Sequence, residues 1–155
     1  MDALTRIRSV ANYQFGKGVG IHLFPEDVKI VRSKRTRRIR YVYFKGERLA
    51  TLRPTDGLFS LSIAGAKRII DRAESAKCLV VVQDDVSEFI ARGGTVFAKH
   101  IIKADDEIRP KDEVIVVDKS RKVLAVGRAA LSGKGMEAFA RGVAVKTRRG
   151  FLEES

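Results

Sequence analysis

The sequence predicts an α+β domain in the first half of the chain, followed by a mainly-β small barrel in the second half. The 155 residues are enough for two small domains, and 45% of them are hydrophobic, so each half can bury a core. Helical and strand-like patterns are mixed before residue 76, whereas short strands at close intervals dominate after residue 77. The expected domains are therefore residues 1–76 and residues 77–155.

The first half combines capped helices with a strand meander. Apolar residues recur at helical intervals from Ala3 to Tyr13, and Asp2 is placed to cap that helix. The glycine cluster at 16–20 lacks the sequence of a nucleotide-binding loop and favours a flexible helix end. Ser62 is expected to cap a later helix. The strands and this helix are expected at residues 28–32, 39–44, 47–52, 58–61 and 63–75.

The second half contains many short strands separated by turn-forming or charged residues. Asp85 and Glu88 have the spacing of a capping box at the start of a short helix, which the glycines after Arg92 end. This pattern predicts a small closed or nearly closed barrel. Its strands are expected at residues 78–82, 95–97, 101–102, 113–117, 123–130 and 143–147.

Charge is distributed unevenly along the chain. The formal net charge is +12; residues 1–77 carry 17 Lys and Arg against 7 Asp and Glu, whereas residues 78–155 carry 14 against 12. A well-solvated surface rich in both signs accounts for the second half but not for the first. An excess of this kind favours a polyanion such as a nucleic acid as the partner.

Several classes of protein are excluded or disfavoured by composition. One Cys and two His cannot supply a zinc site of the usual spacing, and no metal or cofactor is expected. Cys78 opens an apolar run and is expected to be a buried thiol. No apolar run approaches the ~20 residues of a membrane helix. The first residues lack the layout of a signal peptide, so a cytoplasmic location without membrane contact is expected.

A basic segment in the first half is the first candidate binding site. It places six cations within nine residues, and such a cluster can neutralise several phosphates. The alternative is a charged hairpin tip that only keeps the protein soluble. The predicted RNA-binding residues of this segment are Arg32, Lys34, Arg35, Arg37, Arg38 and Arg40.

An ordered series of motifs in residues 78–150 resembles the PUA domain, a pseudo-barrel found in pseudouridine synthases and archaeosine transglycosylases. The series is Leu79–Val82, the helix Val86–Ala91, Arg92–Ile101, Ile108–Val114, Leu124–Ala129 and Gly142–Val145. Upstream, three segments resemble the domain that precedes PUA in archaeal tRNA-guanine transglycosylases and archaeosine synthase. These are Tyr13–Gly18, Arg32–Tyr41 and Leu52–Phe59. The catalytic barrel of the transglycosylases, with its aspartates and zinc site, has no room in 155 residues.

The resemblance implies that the segment joining the PUA helix to the next strand, together with the closing strand, contacts RNA. The residues it implicates are Gly93, Gly94, Lys99, His100, Arg141 and Lys146, and Arg148 and Arg149 extend the same surface. Phe97 either stacks on a base or joins the core, and an aromatic residue in a short strand is more often core. For His22 a structural role is preferred.

Together these features predict a non-catalytic protein that binds tRNA at the acceptor stem and 3′ end, in connection with a modification such as archaeosine formation in an archaeon. It is expected to act as a free-standing chain that delivers tRNA to a separate modifying enzyme. The first alternative is an assembly subunit of a tRNA- or rRNA-modifying enzyme, with the first domain binding protein. The second is an enzyme with a lone catalytic aspartate, for which the candidates are Asp56, Asp84, Asp85, Asp105 and Asp106.

Overall fold

The computed structural model describes residues 2–153, so Met1, Glu154 and Ser155, at the ends of the two expected domains, lie outside the described residues. The chain divides into two compact units, with the division between Ala76 and Lys77. Within the described residues, the first unit combines three helices with a four-stranded sheet, and the second holds a six-stranded sheet and two short helices. The α+β unit followed by a mainly-β barrel is the fold class that the sequence predicts.

The helices of the first unit are α1 (Ala3–Phe15), α2 (Val19–Leu23) and α3 (Ile63–Arg72). The side chain of Asp2 accepts a hydrogen bond from the Thr5 N–H at 2.7 Å, and that of Ser62 accepts one from the Gly65 N–H at 3.0 Å. Both predicted N-caps are therefore confirmed, and each satisfies one otherwise unpaired donor of a first turn. The three helices contribute the following buried apolar side chains to the core of this unit: Ile7, Ala11, Phe15, Val19, Leu23, Ala66 and Ile69.

The strands of the first unit form an antiparallel meander in the order β1-β2-β3-β4. Their bounds are Lys29–Arg32, Ile39–Phe44, Glu47–Leu52 and Phe59–Leu61. Lys45 and Gly46 join β2 to β3 with positive φ angles of 50° and 83°, as a type I′ turn requires. Val42, Ala50 and Leu61 form a buried row across three strands, so this face of the sheet belongs to the core.

Gly16 ends α1, as the sequence predicts, but the glycine cluster is a closely packed turn and not a flexible one. Gly20 lies inside α2, and a Cβ atom there would lie 2.3 Å from the carbonyl oxygen of Arg8. Its N–H donates to the Asn12 side chain at 2.7 Å. The two helices approach so closely that only glycine fits at this position.

The second unit is a nearly closed β-barrel with the strand order β6-β10-β9-β8-β5-β7. The bounds of β5 to β10 are Leu79–Val82, Val96–Phe97, Ile101–Ala104, Glu113–Val117, Val123–Ala129 and Val143–Gly150. The pair of β5 and β8 is parallel, and the other neighbouring strands are antiparallel. The barrel core is built mainly from small and β-branched residues, among them Val80, Val82, Val114, Val116, Ala125 and Val145.

The short helices of this unit depart from the sequence prediction. Residues Asp84–Val86 form a 3₁₀ turn that leads into α4 (Ser87–Ala91), so Val86 occupies the cap position and no side chain caps the helix. The predicted Asp85 capping box is therefore wrong; Glu88 instead pairs with Arg92 at 3.0 Å. Helix α5 (Gly133–Ala138) was not predicted, because its two glycines weaken any helical pattern.

Cys78 is buried, as expected. Burial raises the pKa of its thiol well above the ordinary value, and the nearby carboxylates of Asp105 and Glu113 act in the same direction. The thiol therefore stays protonated and is no nucleophile. Between residues 2 and 153, no helix combines the length and the apolar character that crossing a bilayer demands.

Candidate nucleic-acid interface

The first candidate surface is the basic hairpin, residues 32–40, which connects β1 to β2. Its turn is closed by hydrogen bonds from the Ser33 N–H to the Arg38 carbonyl and from the Arg37 N–H to the Ser33 carbonyl, both at 2.8 Å. Arg37 has a φ of 62°, so the chain reverses sharply there. The structure exposes Arg32, Lys34, Arg35, Arg37 and Arg38 and leaves Arg40 half-buried.

The cations of the basic hairpin have no carboxylate within ion-pair distance among residues 2–153. The Arg32 guanidinium donates to the backbone carbonyl of Arg37 at 3.0 Å. That of Arg40 lies 5.8 Å from the ring centre of Tyr41, which is a cation–π distance. Six positive charges therefore repel one another at one site, and an anion bound there relieves the repulsion.

The second candidate surface is a cleft of about 200 Å³ where β6 meets β10. Its walls come from Phe97, Lys99, Ala140, Arg141 and Gly142. Phe97 lies opposite Val143 in the strand register, and the Ala98 N–H donates to the Gly142 carbonyl at 2.9 Å. The pairing of these strands therefore brings together Lys99 and Arg141, which the sequence separates widely.

Phe97 lines this cleft and is only half-buried, so the preference for a core position is wrong. It sits in a two-residue strand beside the cleft, and the core cluster of the barrel is formed without it. Its ring centre lies 6.1 Å from that of His100 in an edge-to-face arrangement. The Nδ1 atom of His100 is buried and has no hydrogen-bond partner among the described residues.

The helix-ending role predicted for the glycines after Arg92 is confirmed, since Gly93 follows the end of α4 with a φ of 99°. The N–H groups of Gly93 and Gly94 donate to the carbonyls of Ile90 and Phe89, both at 2.9 Å, so neither is available for a phosphate. A Cβ atom at Gly94 would lie 2.4 Å from the Phe89 ring. Hydrogen bonds to the backbone of α4 therefore hold the loop in place, and contact of either glycine with RNA stays a prediction.

The cations of the closing strand, β10, have two different environments. Lys146 is exposed and lies opposite Arg128, an exposed cation that sequence reasoning missed. Arg148 sits at a register shift in β10, and its side chain reaches Glu113, where Nη1 donates to Oε1 at 2.8 Å and Nη2 to the other oxygen. Glu113 has no exposed side-chain surface, so Arg148 neutralises a buried carboxylate, and contact of Arg148 with RNA stays a prediction.

No group of three or more metal-ligating side chains comes together within residues 2–153. Two of the five aspartates considered for catalysis are engaged in local structure. Asp56 pairs with Arg53 at 3.0 Å, and Asp105 accepts a hydrogen bond from the Leu79 N–H at 2.9 Å. These carboxylates therefore stabilise a turn and a strand end.

Each of the two units carries one of the basic surfaces described above, the basic hairpin in the first unit and the cleft at Phe97 in the second. The family model of the patch-forming domain C2 of tRNA-guanine transglycosylase matches residues 5–75, and that of the PUA domain matches residues 79–151. The chain therefore carries a PUA domain at residues 79–151, preceded at residues 5–75 by a domain similar to the C2 domain of tRNA-guanine transglycosylase.

Curated relatives cover the same region. The chain is 42% identical to the tRNA-guanine(15) transglycosylase of Methanothermobacter thermautotrophicus over 97% of its own length and 23% of the relative. It is also 42% identical to the enzyme of that name from Thermococcus kodakarensis, over 96% of its own length and 25% of the relative. The chain thus spans about a quarter of these enzymes and matches their C-terminal region.

Solved structures share the fold. A hypothetical protein from Pyrococcus horikoshii superposes with a TM-score of 0.78 at 22% identity, covering 97% of this chain and 91% of that one. A conserved PUA domain protein from Thermoplasma acidophilum gives 0.69 at 21% identity, covering 98% and 90%. At these identities the likeness concerns the fold alone.

Proposed function

We propose that this chain binds tRNA at the acceptor stem and 3′ end without catalysing a reaction, in connection with a tRNA modification such as archaeosine formation. The PUA domain and the transglycosylase relatives support RNA binding linked to tRNA modification. The observation that carries the proposal is the basic hairpin, whose cations have no carboxylate partner among the described residues. A tRNA ligand also implies a cytoplasmic location.

The two surfaces suit two parts of one RNA. Arginine side chains on an exposed hairpin contact phosphates with little dependence on sequence, as a double-helical stem requires. The cleft between β6 and β10 combines the Phe97 ring with the charges of Lys99 and Arg141. A ring flanked by cations can stack on an unpaired base and hold its phosphates, which suits a single-stranded end.

The test compares binding of full-length tRNA with binding of the same tRNA trimmed of its single-stranded 3′ end, across a series of salt concentrations. We expect the wild-type chain to bind the full-length tRNA more tightly. The double variant K99A/R141A should lose this preference while it still binds the trimmed tRNA. The matched control K103A/K119A removes the same charge from exposed positions of the second unit and should keep the preference.

Each outcome bears on a different part of the proposal. Equal, strongly salt-dependent binding of both RNAs by the wild-type chain would reduce the function to general phosphate binding. Absence of binding to either RNA would refute it and favour a protein partner. Conversion of a labelled tRNA by the purified chain, detected by nucleoside analysis, would refute the non-catalytic role.

The assembly subunit is the second candidate function, and exposed apolar side chains of the first unit favour it. Tyr13 on α1 is 80% exposed and Ile21 on α2 is 58% exposed, so both large side chains are open to contact by another protein. Gel filtration with candidate tRNA-modifying enzyme subunits, in the absence of RNA, tests this role. A shared elution peak that Y13K/I21K abolishes would support it, and independent elution would exclude these subunits as partners.

A further inference from the structure

The two faces of the sheet in the first unit differ in character. The row Val42, Ala50 and Leu61 is buried in the core. The adjacent row on the opposite face, Tyr41, Thr51 and Ser60, is aligned across the same three strands and is only half-buried. Because side chains alternate between faces along a strand, this row lies on the face opposite the buried row, and its three side chains are polar or aromatic.

Two tyrosines lie side by side on this face. Tyr41 and Tyr43 are two positions apart in β2, and their ring centres are 6.3 Å apart at an angle of 59°. Their cross-strand neighbours in β1 are Val31 and Lys29. A tyrosine pair in the middle of a sheet normally packs under a helix or a second sheet, but within this unit the buried side chains lie on the other face.

Cations surround the tyrosine pair. A cleft of about 230 Å³ adjoins Tyr43 and is lined by Lys29 and Lys45, together with Val31, Gly46 and the carboxylate of Asp27. Arg48 lies opposite Tyr43 in β3 and donates to the Thr51 hydroxyl on the same face. Aromatic rings between cations are the composition that single-stranded nucleic acids need, since rings accept base faces and cations accept the phosphates between them.

We propose that the open sheet face of the first unit binds unpaired nucleotides of RNA, with bases stacked on Tyr41 and Tyr43 and phosphates held by Lys29 and Lys45. The inference rests on the proposed RNA-binding function and adds a site that adjoins the basic hairpin, whose Arg40 lies beside the Tyr41 ring, and that differs from the cleft at Phe97. Paired bases keep their faces inside the helix, so a duplex cannot use the tyrosine rings. The sheet face therefore selects a loop or a single strand.

The test uses the full chain with two RNAs that have no tRNA sequence: a single-stranded hexanucleotide of uridines and a blunt RNA duplex. We expect Y41L/Y43L to bind the hexanucleotide at least about tenfold more weakly than the wild-type chain, since leucine keeps apolar bulk but offers no ring. Duplex binding should not change. Y41F/Y43F should restore binding relative to the leucine variant. The control Y13L alters an exposed tyrosine on α1 and should bind both RNAs as the wild type does.

A spectroscopic readout separates stacking from a structural defect. The chain has three tyrosines and no tryptophan, so its near-ultraviolet emission comes from tyrosine, and two of the three tyrosines lie on this face. The hexanucleotide should quench most of this emission in the wild type. In Y41F/Y43F it should bind without quenching the remaining Tyr13.

The outcomes distinguish this inference from the proposed function. Binding of the duplex but not of the hexanucleotide by the wild type would overturn the stacking site and leave RNA binding intact. Equal hexanucleotide affinity of Y41L/Y43L and wild type would also overturn it. Absence of binding to both RNAs and to tRNA would remove the proposed function itself. Selective loss of the hexanucleotide, with rescue by phenylalanine, would establish the site.

Discussion

Replacing Arg35, Arg37 and Arg38 of the basic hairpin with alanine should flatten the salt dependence of RNA binding. All three side chains are exposed and none has a carboxylate partner among the described residues, so each can take one phosphate. Each phosphate neutralised in a duplex contributes about 0.9 to the slope of log affinity against log salt. Loss of three contacts should reduce the slope by up to about 2.7.

The same slope fixes the loss of affinity. If wild type and variant converge near 1 M salt, a slope difference of 2.7 weakens binding by about 500-fold at 0.1 M salt and by about 80-fold at 0.2 M. The assay is fluorescence anisotropy with labelled tRNA between 0.05 and roughly 0.4 M salt, a range over which such slopes are measurable.

The matched control removes the same charge elsewhere. K103A/R109A/K119A changes three exposed cations of the second unit and should leave the slope within about one phosphate contact of the wild type. Alanine at position 37 keeps a Cβ atom at the positive φ, so the strain of the turn is the same in both proteins. An unchanged slope in the hairpin variant, or an equal decrease in the control, would refute the assignment of these phosphates to the hairpin.

Three further predictions concern stability. R148A should lower the free energy of unfolding, measured in urea, by about 2–3 kcal/mol, because it leaves the Glu113 carboxylate buried without the Arg148 guanidinium. E113L/R148L should recover most of that loss. A urea midpoint of R148A equal to that of the wild type would show that the ion pair does not stabilise the fold. G65A should lower the melting temperature, since the Cβ of alanine at this position would lie 2.1 Å from the Leu49 carbonyl oxygen. This clash should outweigh the helix preference of alanine over glycine, which is about 1 kcal/mol. A rise in melting temperature would contradict the close packing of Gly65 against Leu49. Hydrogen bonds with Thr5 hold the pKa of Asp2 below its ordinary value of 3.8, so the stability that this carboxylate contributes is present above that pH and lost as the pH falls through the lowered pKa. D2N should keep the cap and abolish this part of the acid dependence, measured by circular dichroism of the whole chain across an acid pH series.

Local patterns predicted several strands well. The bounds of β2, β3 and β8 agree with the sequence prediction to the residue, since turn-forming or charged residues flank these short runs, and β2 and β8 are rich in β-branched or aromatic residues. The short helices α2 and α5 escaped prediction. Both contain glycines whose purpose is close packing, as at Gly133, where a Cβ would lie 1.9 Å from the Asp105 carbonyl oxygen. Such contacts depend on distant residues and leave no local periodicity.

The candidate site likewise has one part that the sequence predicts and another that it does not. The basic hairpin is a run of neighbouring residues, so its charge is visible in the sequence. The cleft at Phe97 exists only because β6 pairs with β10, and no periodic pattern encodes which strands become neighbours. The sequence predicts the strand that contains the tyrosine pair but not that this face of the sheet is open. Alternation alone does not tell which face of a strand a helix will cover.

Strand order also determines at which point of synthesis the basic hairpin and the cleft at Phe97 can form. In the first unit every strand pairs with the next one along the chain, so low contact order favours rapid folding once α3 has left the ribosome. In the second unit β6 has β10 as its neighbour, and the barrel stays open until the last strand is made. The basic hairpin is therefore ready to meet RNA early, whereas the cleft that contains Arg141 assembles last. A chain that terminates before Val143 would keep the first surface and lose the second.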